Sequence, residues 1–125
     1  RTAYTIKWKK KFQMPNKKYL SMLGMARRAG KLSMGHDMAL KAVMEHKTEL
    51  VIFASDVSQR LVGEFDVAIE KSKHDVTVSI IPETINDIHR ALGYKAGVIT
   101  VDDKNFSGRI KELINQEENE YGNKD

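Results

Sequence analysis

GMARRAGKLSMGHDMALK, residues Gly24–Lys41, is the stretch on which the reading of this chain turns. Its glycines, arginine pair and Gly-Lys step resemble a phosphate loop. A true phosphate loop is spaced G-x-x-x-x-G-K-[ST], follows a strand, and opens a helix whose hydroxyl residue holds magnesium. Here five residues separate Gly24 from Gly30, Lys31 is followed by Leu32, and the pattern before Gly30 is helical. Spacing, hydroxyl and context all fail. The stretch reads instead as the end of one helix, a short extended link and the start of another helix.

On the N-terminal side, Asn16 can cap a helix in which Leu20, Leu23 and Ala26 or Arg27 recur at three- to four-residue spacing, and Gly30 stops it. KLSM (Lys31 to Met34) is a short strand or extended link before Gly35. A second helix runs from about His36 to His46, with Ala39, Leu40 and Val43 on one face. LVIFAS (Leu50 to Ser55) is a continuous apolar, β-branched run of the kind buried on both faces of a sheet. Asp56 or Ser58 can cap a third helix carrying Leu61, Val62, Phe65, Ala68 and Ile69. VTVSII (Val76 to Ile81) predicts a second buried strand, ended by Pro82, and Thr84 opens a helix with Ile85, Ile88 and Leu92 that stops at Gly93. GVITV (Gly97 to Val101) predicts another strand, and Phe106, Ile110, Leu113 and Ile114 mark a last helix. Strands alternating with helices predict an α/β fold, a three-layer α-β-α sandwich around a small mixed sheet of about four strands.

The chain has 125 residues, 41% hydrophobic and 30% charged, and no cysteine. Disulfides, Cys-ligated zinc and thiol catalysis are thereby excluded, and a reducing cytoplasm is the expected compartment. No apolar run approaches the ~18 residues of a membrane span. The formal charge of +4 is unevenly spread: residues 1–36 hold ten Lys/Arg and no acid, whereas residues 37–125 hold eleven against seventeen Asp/Glu. Five of those ten precede Met14, in a segment, RTAYTIKWKKKFQ, unrelated in pattern to the rest of the chain. Residues 1–13 are expected to be an upstream or expression-derived extension, residues 14–116 one domain, and residues 117–125 a frayed polar tail. From Met14 the charge is sixteen against seventeen, or −1, so the overall charge ceases to argue for a polyanionic partner. The acid-free run from Met14 to His36 still does.

Gly35 lies where the extended segment becomes the second helix. A helix N-terminus offers unpaired N–H groups and a positive dipole end, and glycine lets a bulky ligand approach. Lys41 comes nearly two turns later, and Arg27, Arg28 and Lys31 precede. Singly, each reads more readily as a turn or a solvated side chain. Together they are expected to form a cationic rim around a helix N-terminus, which fits an RNA backbone better than a small metabolite.

AGKLSMGHDMALKAV followed by ELVIFASDVS, and then HRALGYKAGVITVDD (His89 to Asp103), resembles the ribosomal kink-turn RNA-binding superfamily of the L7Ae and L30e type, in particular its small bacterial stand-alone members. The similarity spans about Asn16 to Ile114. It implies a non-enzymatic α-β-α protein that binds folded RNA, with the signature loop on Gly35, His36, Asp37, Met38 and Lys41. A second contact loop falls on Tyr94, Lys95, Ala96 and Gly97, against an extruded nucleotide. Kink-turn binders carry Asn then Glu where this chain has Asp37 and Met38, which puts strict kink-turn specificity in question.

The four histidines fall in separate elements without ligand spacing, so no metal and no cofactor are expected. His36, beside the expected phosphate site, could strengthen RNA binding when protonated. Asp103 reads as the cap of the last helix, and Met38 as a side chain able to pack on a base. The chain is thus expected to act as a monomer on structured RNA, with ribosomal or translation-related proteins as further partners. Two rivals are a protein-interaction adaptor on the same fold and a small enzyme around Asp56 and Asp102.

Overall fold

A computed structural model describes residues 17–122, with side chains through residue 118. Residues 1–13, Met14 and the expected cap Asn16 lie outside the described residues. The first described helix, α1 (Lys18–Arg28), starts at Lys17 and closes at Gly30, whose φ of 75° comes directly after the C-cap Ala29. The Lys31 N–H donates to Ala26 O and the Gly30 N–H to Arg27 O, the paired bonds of a Schellman stop. Next come β1 (Leu32–Met34) and α2 (His36–Met44), which ends two residues before the left-handed His46. The remaining elements are β2 (Leu50–Phe53), α3 (Gln59–Ser72), β3 (Thr77–Ile80), α4 (Ile85–Leu92), β4 (Val98–Val101) and α5 (Lys104–Gly122).

The strand order is β1-β4-β2-β3, with β4 antiparallel to both its neighbours and β3 parallel to β2. Side chains of a strand alternate between faces, and the two central strands use both. Leu50 and Ile52 of β2 join Ile99 and Val101 of β4 beneath α1, α4 and α5, in a core with Tyr19, Leu23, Ile88 and Ile110. Val51, Phe53 and Val98 face the other way, into Ala39 and Val43 of α2 and Phe65 and Ala68 of α3. The rings of Phe53 and Phe65 meet edge to face at 5.6 Å. Two helical layers on one mixed sheet make the α-β-α sandwich.

The caps match the sequence closely. The Ser58 hydroxyl accepts from Leu61 N–H, Asp103 accepts from Phe106 N–H, and Thr84 forms a reciprocal capping box with Asp87. Asp56, read as an alternative cap for α3, instead accepts from Ile85 N–H at 2.9 Å and so steadies the start of α4.

VTVSII departs from the expected buried strand. β3 occupies a sheet edge, and Val78 and Ile80 are 37% and 55% exposed, while Ile81 beyond the strand is inside. Apolar β-branched composition is common to central and edge strands, and only topology separates them. The last helix also runs on to Gly122, past the expected boundary at 116, with no glycine or proline between Gln116 and Tyr121.

Glu83 is fully buried between β3 and α4. Its Oε1 accepts from the Tyr19 hydroxyl at 2.6 Å, and Lys17 Nζ lies 3.0 Å from Oε2, an ion pair without hydrogen-bond alignment. A buried carboxylate deprived of a donor retains its desolvation penalty. Tyr19→Phe is therefore expected to lower the free energy of unfolding by about 1–3 kcal/mol. Chemical denaturation reads this directly, and a wild-type midpoint with an unchanged slope would contradict it.

Candidate nucleic-acid interface

The signature loop is shaped by Gly35. Its φ of 94° and ψ of 163° lie in a region that is essentially closed to residues with a Cβ. Its N–H donates to Val98 O at 2.9 Å, extending the β1–β4 pairing by one rung, and its carbonyl accepts from Ala39 N–H to begin α2. One residue thus ends a strand and starts a helix in the opposite layer. Among the described residues no side chain caps this end of α2, so the N–H groups of His36, Asp37 and Met38 form its open first turn. A Cβ built on Gly35 would meet nothing within 4 Å, so the space over this turn is free.

Because Gly35 pairs with Val98, the loop that leads into β4 lies beside it. Tyr94 and Lys95 are exposed there. Ala96 is 5% exposed, and Gly97 offers its carbonyl to Ala54 N–H at 2.9 Å. A Cβ on Gly97 would stand 2.7 Å from Val57 Cγ1 and 3.4 Å from Ile85 Cδ1. Ala96 and Gly97 thus have a packing reason for being small, and Tyr94 and Lys95 present the side-chain surface of this wall.

His36 is held from both sides. Its Nδ1 lies 3.1 Å from Asp37 Oδ1 and its Nε2 3.1 Å from Glu64 Oε1, with the ring edge-on to Phe65 at 6.0 Å. Hydrogen bonding to Asp37, then to Glu64, raises the His36 pKa above its ordinary value. Glu64 was not foreseen, because periodicity shows that α3 exposes this position but not what lies opposite. Met38 and Lys41 are exposed, and among the described residues Lys41 makes no ion pair.

The expected cationic rim does not assemble. Arg27, Arg28 and Lys31 are exposed at the far end of β1, where Lys31 O accepts from Asp102 N–H. Gly35 is the fourth residue after Lys31, about 13 Å away at ~3.3 Å per strand residue. Neighbours in sequence are carried apart because the intervening segment is a strand, and the carboxylates nearest His36 belong to Asp37 and Glu64.

Asp56 and Asp102 do not share a site either, since they lie just beyond antiparallel strands at opposite ends of the sheet. Burial raises the Asp102 pKa, against hydrogen bonds from Ser33 and Thr100 and the charge of Lys47. The cleft beside Asp102 holds a pairing that sequence spacing did not reveal: His46 and His74 stack at 5.2 Å. Among the described residues no three His, Cys, Asp or Glu side chains gather as a metal site, and no helix is long and apolar enough to cross a membrane.

A family model described as ribosomal protein L7Ae/L30e/S12e/Gadd45 matches residues 17–108, which takes in every element from α1 through β4. The chain belongs to this family. Among solved structures it is similar to a protein of unknown function from Bacillus halodurans, at 30% identity and a TM-score of 0.70, over 79% of this chain and 98% of that one. It is also similar in fold to a 15.5 kD RNA-binding protein from Giardia lamblia, at 23% identity and a TM-score of 0.60, over 78% and 82% of the two chains. No curated protein matches the sequence.

The raised His36 pKa has a defined consequence. Its pairing with Asp37 and Glu64 contributes to stability fully below the ordinary histidine range and is lost as pH rises through the folded value. Glu64→Gln should shift the His36 ring titration to lower pH. Two-dimensional NMR of the imidazole resonances gives the midpoint, and an unmoved midpoint would remove Glu64 from the cause.

Proposed function

We propose that the protein is a non-enzymatic module that binds structured RNA, kink-turn-like or otherwise bent or bulged, through the Gly35 end of α2 and the Tyr94–Gly97 loop. The observation that carries this reading is the uncapped first turn of α2 beside an exposed tyrosine and lysine, the two loops joined by the Gly35–Val98 hydrogen bond. Orphan N–H groups and a positive dipole end suit phosphate oxygens, and open space over Gly35 admits a backbone. Lys41 supplies a cation on the same helix, while Met38 and Tyr94 offer apolar and aromatic surface to an unstacked base. The family assignment and the RNA-binding description of the Giardia lamblia protein support the ligand class.

Asp37 and Met38 set the specificity. Met38 has no strong acceptor for a guanine edge, and Asp37, though exposed, spends one oxygen on His36, so this site reads bent shape and backbone more than sheared pairs. The protein works in this reading as a monomer in a bacterial cytoplasm, on ribosomal or other non-coding RNA, alongside ribosomal or translation-related proteins.

A second reading, a protein-interaction adaptor, is favoured by the exposed Val78 and Ile80 on the β3 edge. Binding of a kink-turn RNA and of a straight duplex of equal length, at two salt concentrations, separates the two readings. The RNA reading expects preference for the bent RNA that survives high salt and is lost in Gly35→Asp. Lys41→Ala should weaken binding to every RNA and lower the salt slope by about one. Equal, salt-labile binding to both RNAs would leave the adaptor.

A further inference from the structure

Arg27, Arg28 and Lys31 are left without a role at the Gly35 end, and the fold gives them another setting. α1 packs against α4, and between the two lies a cleft of about 400 Å³. Ser21, Gly24, Met25 and Ala91 line it, with Arg28 and Arg90 on its rim. The Arg28 guanidinium lies over Gly24, within 3.7 Å of where a Cβ would stand, an ordinary contact distance. The sequence of α1, KYLSMLGMARR, contains no acid. On α4 the acid is Asp87, and both its oxygens are engaged, one by Arg90 and the other by Thr84 N–H in the capping box. Among the described residues Arg27, Arg28 and Lys31 make no ion pair, and Arg90 keeps a side chain 72% exposed.

This surface cannot share a phosphate with Lys41. α1 and α4 cover one face of the sheet and α2 the other, and the chain passes between them along the edge strand β1. We propose that the α1–α4 cleft is a second phosphate-contacting surface, holding the backbone of an RNA segment separate from the one seated at Gly35. The protein then bridges two stretches of one folded RNA. Guanidinium forks match phosphate oxygens in pairs, and here two of them flank a groove whose lining includes Ser21, Gly24 and Ala91. The charge balance favours RNA over an acidic protein, because Arg27 and Lys31, exposed and without ion pairs among the described residues, follow close on Arg28 in the chain and add cations for successive phosphates.

The inference rests on RNA as the ligand, but its test does not depend on the Gly35 site. The full chain is titrated with a short RNA confined to a bend and with the same RNA extended by a helical arm, over a range of salt. Arg28→Gln, whose side chain has no acidic partner to lose, should lower the salt slope for the extended RNA by about 0.7–0.9. Arg28→Gln with Arg90→Gln should lower it further, while Arg28→Lys, which keeps the charge, holds the wild-type slope and the short RNA is bound as before. Wild-type affinity and slope for the extended RNA in Arg28→Gln would overturn the proposal. So would displacement of a polyglutamate peptide from the cleft with no change in RNA binding, which would assign the surface to an acidic protein. If Gly35→Asp proves silent while Arg28→Gln still lowers the slope, the Gly35 reading fails and the α1–α4 surface stands.

Discussion

The hydrogen bond from Gly35 N–H to Val98 O shapes the end of the molecule that carries the candidate site. It holds the last rung of the β1–β4 ladder at the point where the chain leaves the sheet for α2. To do both, the backbone takes φ 94° and ψ 163°, which only glycine adopts without strain of about 1–3 kcal/mol. The same bond places the start of β4 beside the start of α2, so the two exposed loops become neighbours through the backbone. The relative placement of the two loops is therefore a property of backbone pairing, with Met38, Lys41, Tyr94 and Lys95 left exposed around it.

Behind that end stands a sheet whose central strands are buried on both faces. β2 and β4 divide their side chains evenly, Leu50 and Ile52 with Ile99 and Val101 toward one helical layer, Val51 and Phe53 with Val98 toward the other. Each layer anchors a different surface. α2 and α3 carry His36, Lys41 and Glu64 beside Gly35, and α1 and α4 carry Arg28 and Arg90. The candidate site at Gly35 and the arginine-rimmed α1–α4 cleft therefore lie on opposite faces of the sheet, with the core between them.

Much of this was legible in the sequence where local chemistry decides structure. Gly30 and Gly93 stop helices, Ser58, Thr84 and Asp103 cap them, and the runs LVIF and VITV form the buried centre of the sheet. What stayed hidden depended on topology. VTVSII has the composition of a central strand and its strand lies at an edge, because strand order is not written in any one segment. Arg27, Arg28 and Lys31 look close to Gly35 along the chain, but a three-residue strand carries them to the other end of the sheet. The Glu64 contact to His36 and the Asp56 cap on α4 join residues 28 and 29 apart in sequence, and no periodicity points to either.

If RNA is read by two loops that one backbone hydrogen bond brings together, both loops must respond to the same binding event. Amide NMR of the labelled full chain during titration with a bent RNA observes each loop separately. Resonances from Gly35 to Lys41 and from Tyr94 to Gly97 should shift together, with a common saturation point. Shifts confined to the β3 edge, or a saturating titration that leaves Gly35 and Tyr94 unmoved, would contradict the two-loop site.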